Sequence, residues 1–178
     1  MSEIIIVIIL IIIVYLYGGI SVQQSVSTSI MIQVCIALGV DPDTANSIIP
    51  QIVDAANNAG VNPVLAVALA MEESGLNNNA VNPSGATGLF QLMPETAREL
   101  NVDPTTVSGN IQGGIAYMKI VSNQFNGDIN SILGAFDVGP TGMKNLINKY
   151  GNNWVQYAPS ETQGVIAKVS NIISQFNA

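Results

Sequence analysis

The hydrophobic positions of the chain form one long apolar run followed by a series of shorter segments. The run extends from Ile4 to about Ser21 without a charged residue. A helix of that length reaches about 27 Å, close to the roughly 30 Å hydrocarbon core of a membrane. We therefore predict a transmembrane anchor in residues 1–22. A cleaved signal peptide is the alternative, although the MSE start lacks the basic residues that such peptides carry.

The segments after the apolar run are typical of a helical body. Residues 23–40 begin polar and become helix-like, which indicates a stalk or packing helix. The next segment, DPDTANSIIPQIVDAANNAG, offers Asp41 and Ser47 as candidate N-caps and Gly60 as a stop. It predicts one helix, with an irregular first turn.

The segment NPVLAVALAMEESG repeats this pattern around two adjacent carboxylates. Asn62 is the predicted N-cap, Pro63 the first helical residue and Gly75 the C-terminal stop. Glu72 and Glu73 then lie in the last turn. A negative charge is disfavoured there by the partial negative charge of the helix end, so a carboxylate is biased towards its protonated form.

The rest of the chain predicts more helices and one small extended region. Residues 77–88 have the composition of turns, and GLFQL predicts a short strand or extended segment. Helices are expected in PETAREL, in residues 108–127, in DINSILGAF before VGP, in MKNLINKYG and in residues 161–176. Residues 41–178 are thus expected to form one mainly α domain with a small β element.

Composition removes several classes of chemistry. Twelve acidic and five basic residues give a net charge of -7, which disfavours nucleic acid as a partner. The chain has no histidine and a single cysteine, Cys35. Ser-His-Asp and Cys-His nucleophiles, His-ligated metals and an intrachain disulfide are therefore excluded. Carboxylates, amides and hydroxyls remain as the polar groups available.

A carboxylic acid in an apolar setting at a helix end is suited to protonating a leaving oxygen. Glycosidic cleavage needs such an acid, and hydrolytic enzymes usually add a second carboxylate. Adjacent helical residues point about 100° apart, so Glu72 and Glu73 cannot flank one bond together. Both share a face with apolar residues in the preceding turns, so periodicity does not decide which one is the acid.

The motif around these carboxylates resembles that of the lytic transglycosylases with the lysozyme-like SLT fold. That family has a catalytic Glu followed by Ser and, after a loop, an SGAxGLxQLMP motif, which this chain carries in residues 84–94. NIQGGIAYM, GAFDVGP and PSETQGVIAKV are similar to later elements of the family in the same order. The resemblance covers roughly residues 48–176.

The resemblance implies a fold, a reaction and a set of site residues. It implies a lysozyme-like, mainly α domain that cleaves the bond between N-acetylmuramic acid and N-acetylglucosamine and closes a 1,6-anhydro ring. One carboxylate serves both steps, so we expect no metal and no cofactor. Glu73 is the implied catalytic acid. The implied glycan-binding and supporting residues are Ser74, Gln91, Met93, Phe136, Asp137 and Glu161.

Three departures from the family pattern leave other functions open. Phe136 and Asp137 stand where the family has Tyr and Asn, and Val165 stands where a Tyr is common. Asp137 offers a second carboxylate, so a hydrolytic muramidase is one alternative. A membrane-anchored structural or glycan-binding protein with weak catalysis is the other.

The biological setting follows from the substrate that the resemblance implies. Peptidoglycan strands are the expected partner, with the N-terminal helix in a membrane and the catalytic body on the peptidoglycan side. Family members occur in bacterial envelope machines and in phage virions, where they open the wall locally. Other envelope or virion proteins are therefore further expected partners. No Lys or Arg flanks the apolar run closely, so charge does not predict its orientation.

Overall fold

The computed structural model describes the backbone of residues 21–177 and the side chains of residues 28–177. Residues 1–20, which make up nearly all of the predicted anchor, lie outside the described residues. Within residues 21–177, no helix combines the length and hydropathy needed to cross a membrane. The described elements are α1 (Ser21–Ala37), α2 (Pro42–Ala59), α3 (Pro63–Ser74), α4 (Pro94–Glu99), α5 (Val107–Gln124), α6 (Ile129–Tyr150), a 3₁₀ helix (Gly151–Tyr157) and α7 (Ser160–Phe176).

The caps of α2 and α3 lie where the sequence places them. Asp41 Oδ2 accepts a hydrogen bond from Thr44 N at 2.9 Å, so Ser47 lies inside α2 and is not its cap. Asn62 Oδ1 accepts from the first backbone N–H groups of α3. Gly60 and Gly75 end the two helices in the left-handed conformation. These bounds are local, which is why short motifs predict them correctly.

Helix α3 is the centre of the core. Its residues 65–70 are all buried, on every side of the helix, between α2 and α7. Alanines at three of these six positions let the neighbouring helices approach closely. Met31 and Cys35 of α1 are buried in the same core, and burial raises the pKa of the Cys35 thiol to about 11.

The predicted division of the chain into an anchor (residues 1–22), a stalk or packing helix (residues 23–40) and a catalytic domain (residues 41–178) stays a prediction.

The loop between α3 and α4 replaces the predicted strand. Within residues 76–93 two isolated β-bridges pair Val81 with Thr87 and Thr87 with Leu92, and turns occupy the rest of GLFQL. Gln91 has a φ of 44°, which interrupts an extended backbone. The small β element is thus reduced to bridges, whereas the mainly α prediction is confirmed.

The side chain of Asn110 on α5 holds this loop. Its Oδ1 accepts a hydrogen bond from Phe90 N at 2.8 Å, and its Nδ2 donates to the carbonyls of Thr87 and Pro104 at 2.8 Å each. Asn110 is fully buried. Gly88 passes so close that a Cβ there would overlap the Asn110 amide. One amide therefore satisfies three backbone groups of two loops.

Two consecutive glycines of α5 let the loop lie directly on that helix. A Cβ at Gly114 would overlap the Phe90 ring, and one at Gly113 would lie 2.6 Å from Leu92 Cδ1. Phe90 and Leu92 are both buried in the core. Because Gly113 and Gly114 have no side chains, the loop packs directly against the backbone of α5.

Helix α6 bends at Gly139, whose φ of 72° and ψ of 161° are not helical. Pro140 follows and starts the second half, which contains the predicted MKNLINKYG helix. The sequence predicts two separate helices here, and the structure joins them through this bend. Phe136 and Asp137 lie in the last turn before it.

We expect Asn110→Ala to lower the free energy of unfolding by about 2 to 4 kcal/mol, because it leaves buried backbone groups without partners. Asn123→Ala is the matched control, since Asn123 is an exposed residue of the same helix. Chemical denaturation of both variants measures the difference. Equal stability of the two would show that the loop does not depend on the Asn110 amide.

Candidate active site

Glu73 lies in the last turn of α3 and is partly buried. Burial is the main reason why its pKa is raised from the ordinary value of 4.5 to about 7. The nearby negative charges of Glu72 and Asp137 raise it further. An acid with such a pKa is protonated in a large fraction of molecules at neutral pH, as a proton donor requires.

Glu72 forms an ion pair with a lysine of α7. Lys168 Nζ of α7 donates a hydrogen bond to Glu72 Oε1 at 2.8 Å. The Glu72 side chain is 16% exposed and that of Lys168 is 67% exposed. The pair links the end of α3 to α7, while the Glu72 charge still acts on its neighbour Glu73.

Ser74 connects the end of α3 to the loop that follows. Its hydroxyl lies 2.8 Å from the carbonyl oxygen of Leu89 and 3.1 Å from that of Ala70, and it shares its single hydrogen between these two oxygens. The predicted role of Ser74 was to line the glycan cleft. The structure adds a hydrogen bond that sets the position of α3 relative to the loop.

A cleft of about 280 Å³ lies between the loop and the bend of α6. It brings together four predicted residues, namely Gln91, Met93, Phe136 and Asp137. Its remaining walls are Phe90, Leu92, Thr96, Tyr117, Gly139 and Pro140. Glu73 is not among these lining residues, but the charge of Asp137 reaches it. Asp137 therefore both lines the cleft and helps to raise the pKa of Glu73.

Gln91 and Met93 form the loop side of this cleft. Gln91 Nε2 donates to the carbonyls of Ala80 and Gly88 at 3.1 and 3.0 Å, so both amide hydrogens have partners within the loop. No residue within 28–177 donates a hydrogen bond to Gln91 Oε1, which leaves the oxygen able to accept one from a ligand. Met93 is 44% exposed and contributes an apolar surface.

Phe136 packs against an aromatic residue that the sequence did not single out. The rings of Phe136 and Tyr117 lie 4.9 Å apart with an interplanar angle of 73°. The Tyr117 hydroxyl donates to the carbonyl of Ala135 at 3.2 Å, and burial raises its pKa. Tyr117 lies in the NIQGGIAYM segment, and its contact across to α6 has no signal in the sequence.

The residue of α7 that forms a hydrogen bond with Asp137 is Thr162, and not the predicted supporting residue Glu161. The hydroxyl of Thr162, which is fully buried, donates a hydrogen bond to Asp137 Oδ2. Glu161 is exposed in the first turn of α7 and does not line the cleft. The sequence motif names both residues, but the packing of α7 decides which of them faces α6. Val165 packs, partly buried, against the core.

Within residues 21–177, no group of three or more acidic, Cys or His side chains is arranged to hold a metal ion. A larger groove, of about 830 Å³, lies elsewhere and contains none of the predicted site residues. The small cleft is the candidate active site because four of the predicted site residues line it, and the charge of one of them, Asp137, raises the pKa of Glu73.

The raised pKa of Glu73 makes stability depend on pH. Between about pH 4.5 and 7 the folded chain binds more protons at Glu73 than the unfolded chain, so its free energy of unfolding falls as pH rises. We expect Glu73→Gln to remove this fall and to gain stability relative to the wild type as pH rises through that window.

Denaturation at pH 4.5, 6 and 8 measures this gain. Glu95→Gln is the matched control, since Glu95 is an exposed surface residue paired with Arg98. Parallel pH dependences for the wild type and Glu73→Gln would contradict a raised pKa.

Comparison with known proteins agrees with the sequence motif. The family model of the transglycosylase SLT domain matches residues 50–158. A transglycosylase of Enterobacteria phage PRD1 is 37% identical over 83 residues, which make up 44% of this chain and 30% of the phage protein. The chain thus matches less than a third of the length of that relative.

Two solved structures share the fold. The lytic transglycosylase Slt from Pseudomonas aeruginosa, solved as an inactive mutant, has a TM-score of 0.66 at 24% identity and covers 77% of this chain and 25% of its own. The 70 kDa soluble lytic transglycosylase from Escherichia coli has the same score and identity, with 71% and 23% covered. This likeness confirms the predicted lysozyme-like fold. With more than half of the residues matched by the family model, the chain belongs to the transglycosylase SLT domain family.

Proposed function

We propose that the chain is a peptidoglycan lytic transglycosylase with Glu73 as its catalytic acid. Membership of the family and the match to a phage transglycosylase support the reaction class. The observation that carries the assignment of Glu73 is its pKa of about 7 beside a cleft built from the SLT motif. The neighbouring carboxylate, Glu72, is engaged in an ion pair with Lys168.

The proposed reaction uses one carboxyl group twice. Glu73 first gives its proton to the oxygen between N-acetylmuramic acid and N-acetylglucosamine, and the C1–O bond of the muramoyl residue breaks. The resulting carboxylate then takes the proton of the muramoyl C6 hydroxyl while O6 bonds to C1. The 1,6-anhydro ring closes, Glu73 is protonated again, and no water is consumed.

The cleft residues have matching roles in this proposal. Gln91 Oε1 accepts a hydrogen bond from a sugar hydroxyl or acetamido N–H, since both of its amide hydrogens are used within the loop. Met93 and the Phe136 ring provide apolar surface for a sugar face. Ser74 positions the acid through Leu89. Glu161 contributes only as a distant support at the start of α7.

Hydrolysis is a second candidate, favoured by the position of Asp137. This carboxylate lies in the cleft, is held by Thr162 and acts electrostatically on Glu73. A carboxylate in such a place can activate water, as the base of an inverting glycosidase does. The product would then be a reducing muramic acid, and Asp137→Asn would abolish its release.

The biological setting is a local opening of the cell wall by an anchored enzyme. Residues 1–22 are the proposed transmembrane anchor, and the catalytic body is on the peptidoglycan side of that membrane. The match to a phage transglycosylase supports a phage setting over a bacterial envelope machine, and the membrane in this proposal is that of the virion. Contacts with other virion or envelope proteins belong to the same proposal.

The products of the full chain test the proposed reaction. We expect the chain in detergent micelles to release 1,6-anhydromuramoyl products from purified peptidoglycan, and Glu73→Gln to reduce release by about 10³-fold or more, because the proton donor is lost. Mass spectrometry of the released muropeptides measures both. Glu95→Gln is the surface control and should keep full activity.

Each other outcome of the product test has a distinct meaning. Reducing-end products that disappear in Asp137→Asn would replace the transglycosylase with a muramidase. An equal release by wild type and Glu73→Gln would contradict the assignment of the acid. Binding without release would favour a glycan-binding protein.

Glu72 gives a test of the pH dependence. Activity needs protonated Glu73, so it should fall as pH rises past about 7. Glu72→Gln removes a negative charge that raises the pKa of Glu73, so the fall should move to lower pH. The pH profile of product release measures the shift. A profile that stays in place would show that the Glu72 charge does not act on the acid.

A further inference from the structure

The larger groove lies on a different part of the fold from the candidate active site. It has a volume of about 830 Å³ and lies between the α5–α6 connection, the second half of α6 and the 3₁₀ helix. It shares no residue with the cleft beside Glu73. Pockets for small ligands are typically about 300 to 1,000 Å³, so this groove is large enough to hold more than one sugar unit.

Side-chain amides are the main polar groups of the groove. They belong to Gln124, Asn126, Asn130, Asn148 and Asn152. Among residues 28–177, no side-chain hydrogen bond involves any of these five amides. The loop amides behave differently, since Gln91 and Asn110 are bonded to backbone groups. The five groove amides therefore present two donors and one acceptor oxygen each to a ligand.

The floor of the groove is apolar. Trp154 lies there, 4% exposed, with Phe125, Ile147 and Val155 beside it. A Cβ at Gly134 would lie 2.9 Å from Trp154 Cη2, so this glycine lets the indole pack down against α6. An apolar floor with an amide rim matches a pyranose, which has an apolar face and an edge of hydroxyl and acetamido groups.

The charges of the groove distinguish between ligands. Asp128 Oδ2 is committed to capping α6 through Ser131 N at 2.8 Å. Lys144 is exposed and forms no ion pair with any residue of the described part of the chain. A single available cation among neutral amides suits a sugar that carries an occasional carboxylate, such as muramic acid. It does not suit a polyanion.

We propose that this groove is a second glycan-binding site, which takes N-acetylated amino sugars of the peptidoglycan strand away from the scissile bond. The proposal rests on the proposed function for the source of the glycan. Helix α6 contributes to both sites, with Asp137 in the cleft and Asn148 in the groove. Binding at the groove keeps the chain on the wall between cleavage events, because a second contact raises the effective concentration of the first.

The test uses the full chain with Glu73→Gln, so that no ligand is consumed. The probe is a soluble tetrasaccharide of alternating N-acetylglucosamine and N-acetylmuramic acid. Trp154 is the only tryptophan of the sequence, so intrinsic fluorescence reports on the groove floor. We expect a saturable fluorescence change. Side-chain amide NMR signals of Asn130 and Asn148 should shift over the same concentration range.

Matched variants identify the site. In this background, Asn130→Ala with Asn148→Ala should weaken the fluorescence-detected binding by about tenfold or more, as two lost hydrogen bonds predict. The control is Asn123→Ala with Asn145→Ala, since both are exposed helical asparagines outside the groove. The control should bind as the parent does. Equal binding by the two double variants, or no fluorescence change on titration, would overturn the proposal.

The two proposals fail in distinguishable ways. If wild type releases anhydromuramoyl products but the groove variants bind normally, only the second site is wrong. If the groove binds the tetrasaccharide but no product is released from peptidoglycan, the proposed catalysis is wrong and the glycan site stands.

Discussion

The candidate active site depends on one buried amide, that of Asn110. This side chain is hydrogen-bonded to Phe90 N, Thr87 O and Pro104 O, and thereby fixes the loop between α3 and α4 on α5. The loop in turn presents the Leu89 carbonyl to the Ser74 hydroxyl at the end of α3. A chain of two hydrogen-bonding side chains therefore links α5 to the turn that carries Glu73. Without it, the cleft would lose its loop wall.

The electrostatics of the site follow from this packing. Glu73 ends a helix that is buried on all sides, so its charged form is poorly solvated and its pKa is raised. The negative charges of two carboxylates raise the pKa of Glu73 further. Glu72 is held by Lys168 of α7, and Asp137 is held by Thr162 of the same helix. Helix α7 thus positions both charges that act on the acid.

The sequence predicted the features that depend on a few neighbouring residues. The caps of α2 and α3, the Gly stops and the helical class were correct, because each rests on contacts within one turn. The prediction of a short strand or extended segment in GLFQL was wrong, because turns occupy most of it and Gln91 has a positive φ. Lys168 could not be paired with Glu72 from the sequence, since 96 positions separate them. The sequence also could not show that Thr162, and not Glu161, contacts Asp137, because the rotation of α7 against α6 decides which of them faces α6.

A direct measurement of the Glu73 pKa is the sharpest test of Glu73 as the proton donor. Carboxyl ¹³C NMR of glutamate-labelled protein, titrated from pH 3 to 9, follows each side chain, and Glu73→Gln assigns the signal by its loss. We expect a midpoint of about 7 for Glu73. A midpoint near 4.5 would mean that the carboxyl is solvated and charged at neutral pH, and would contradict its role as the proton donor.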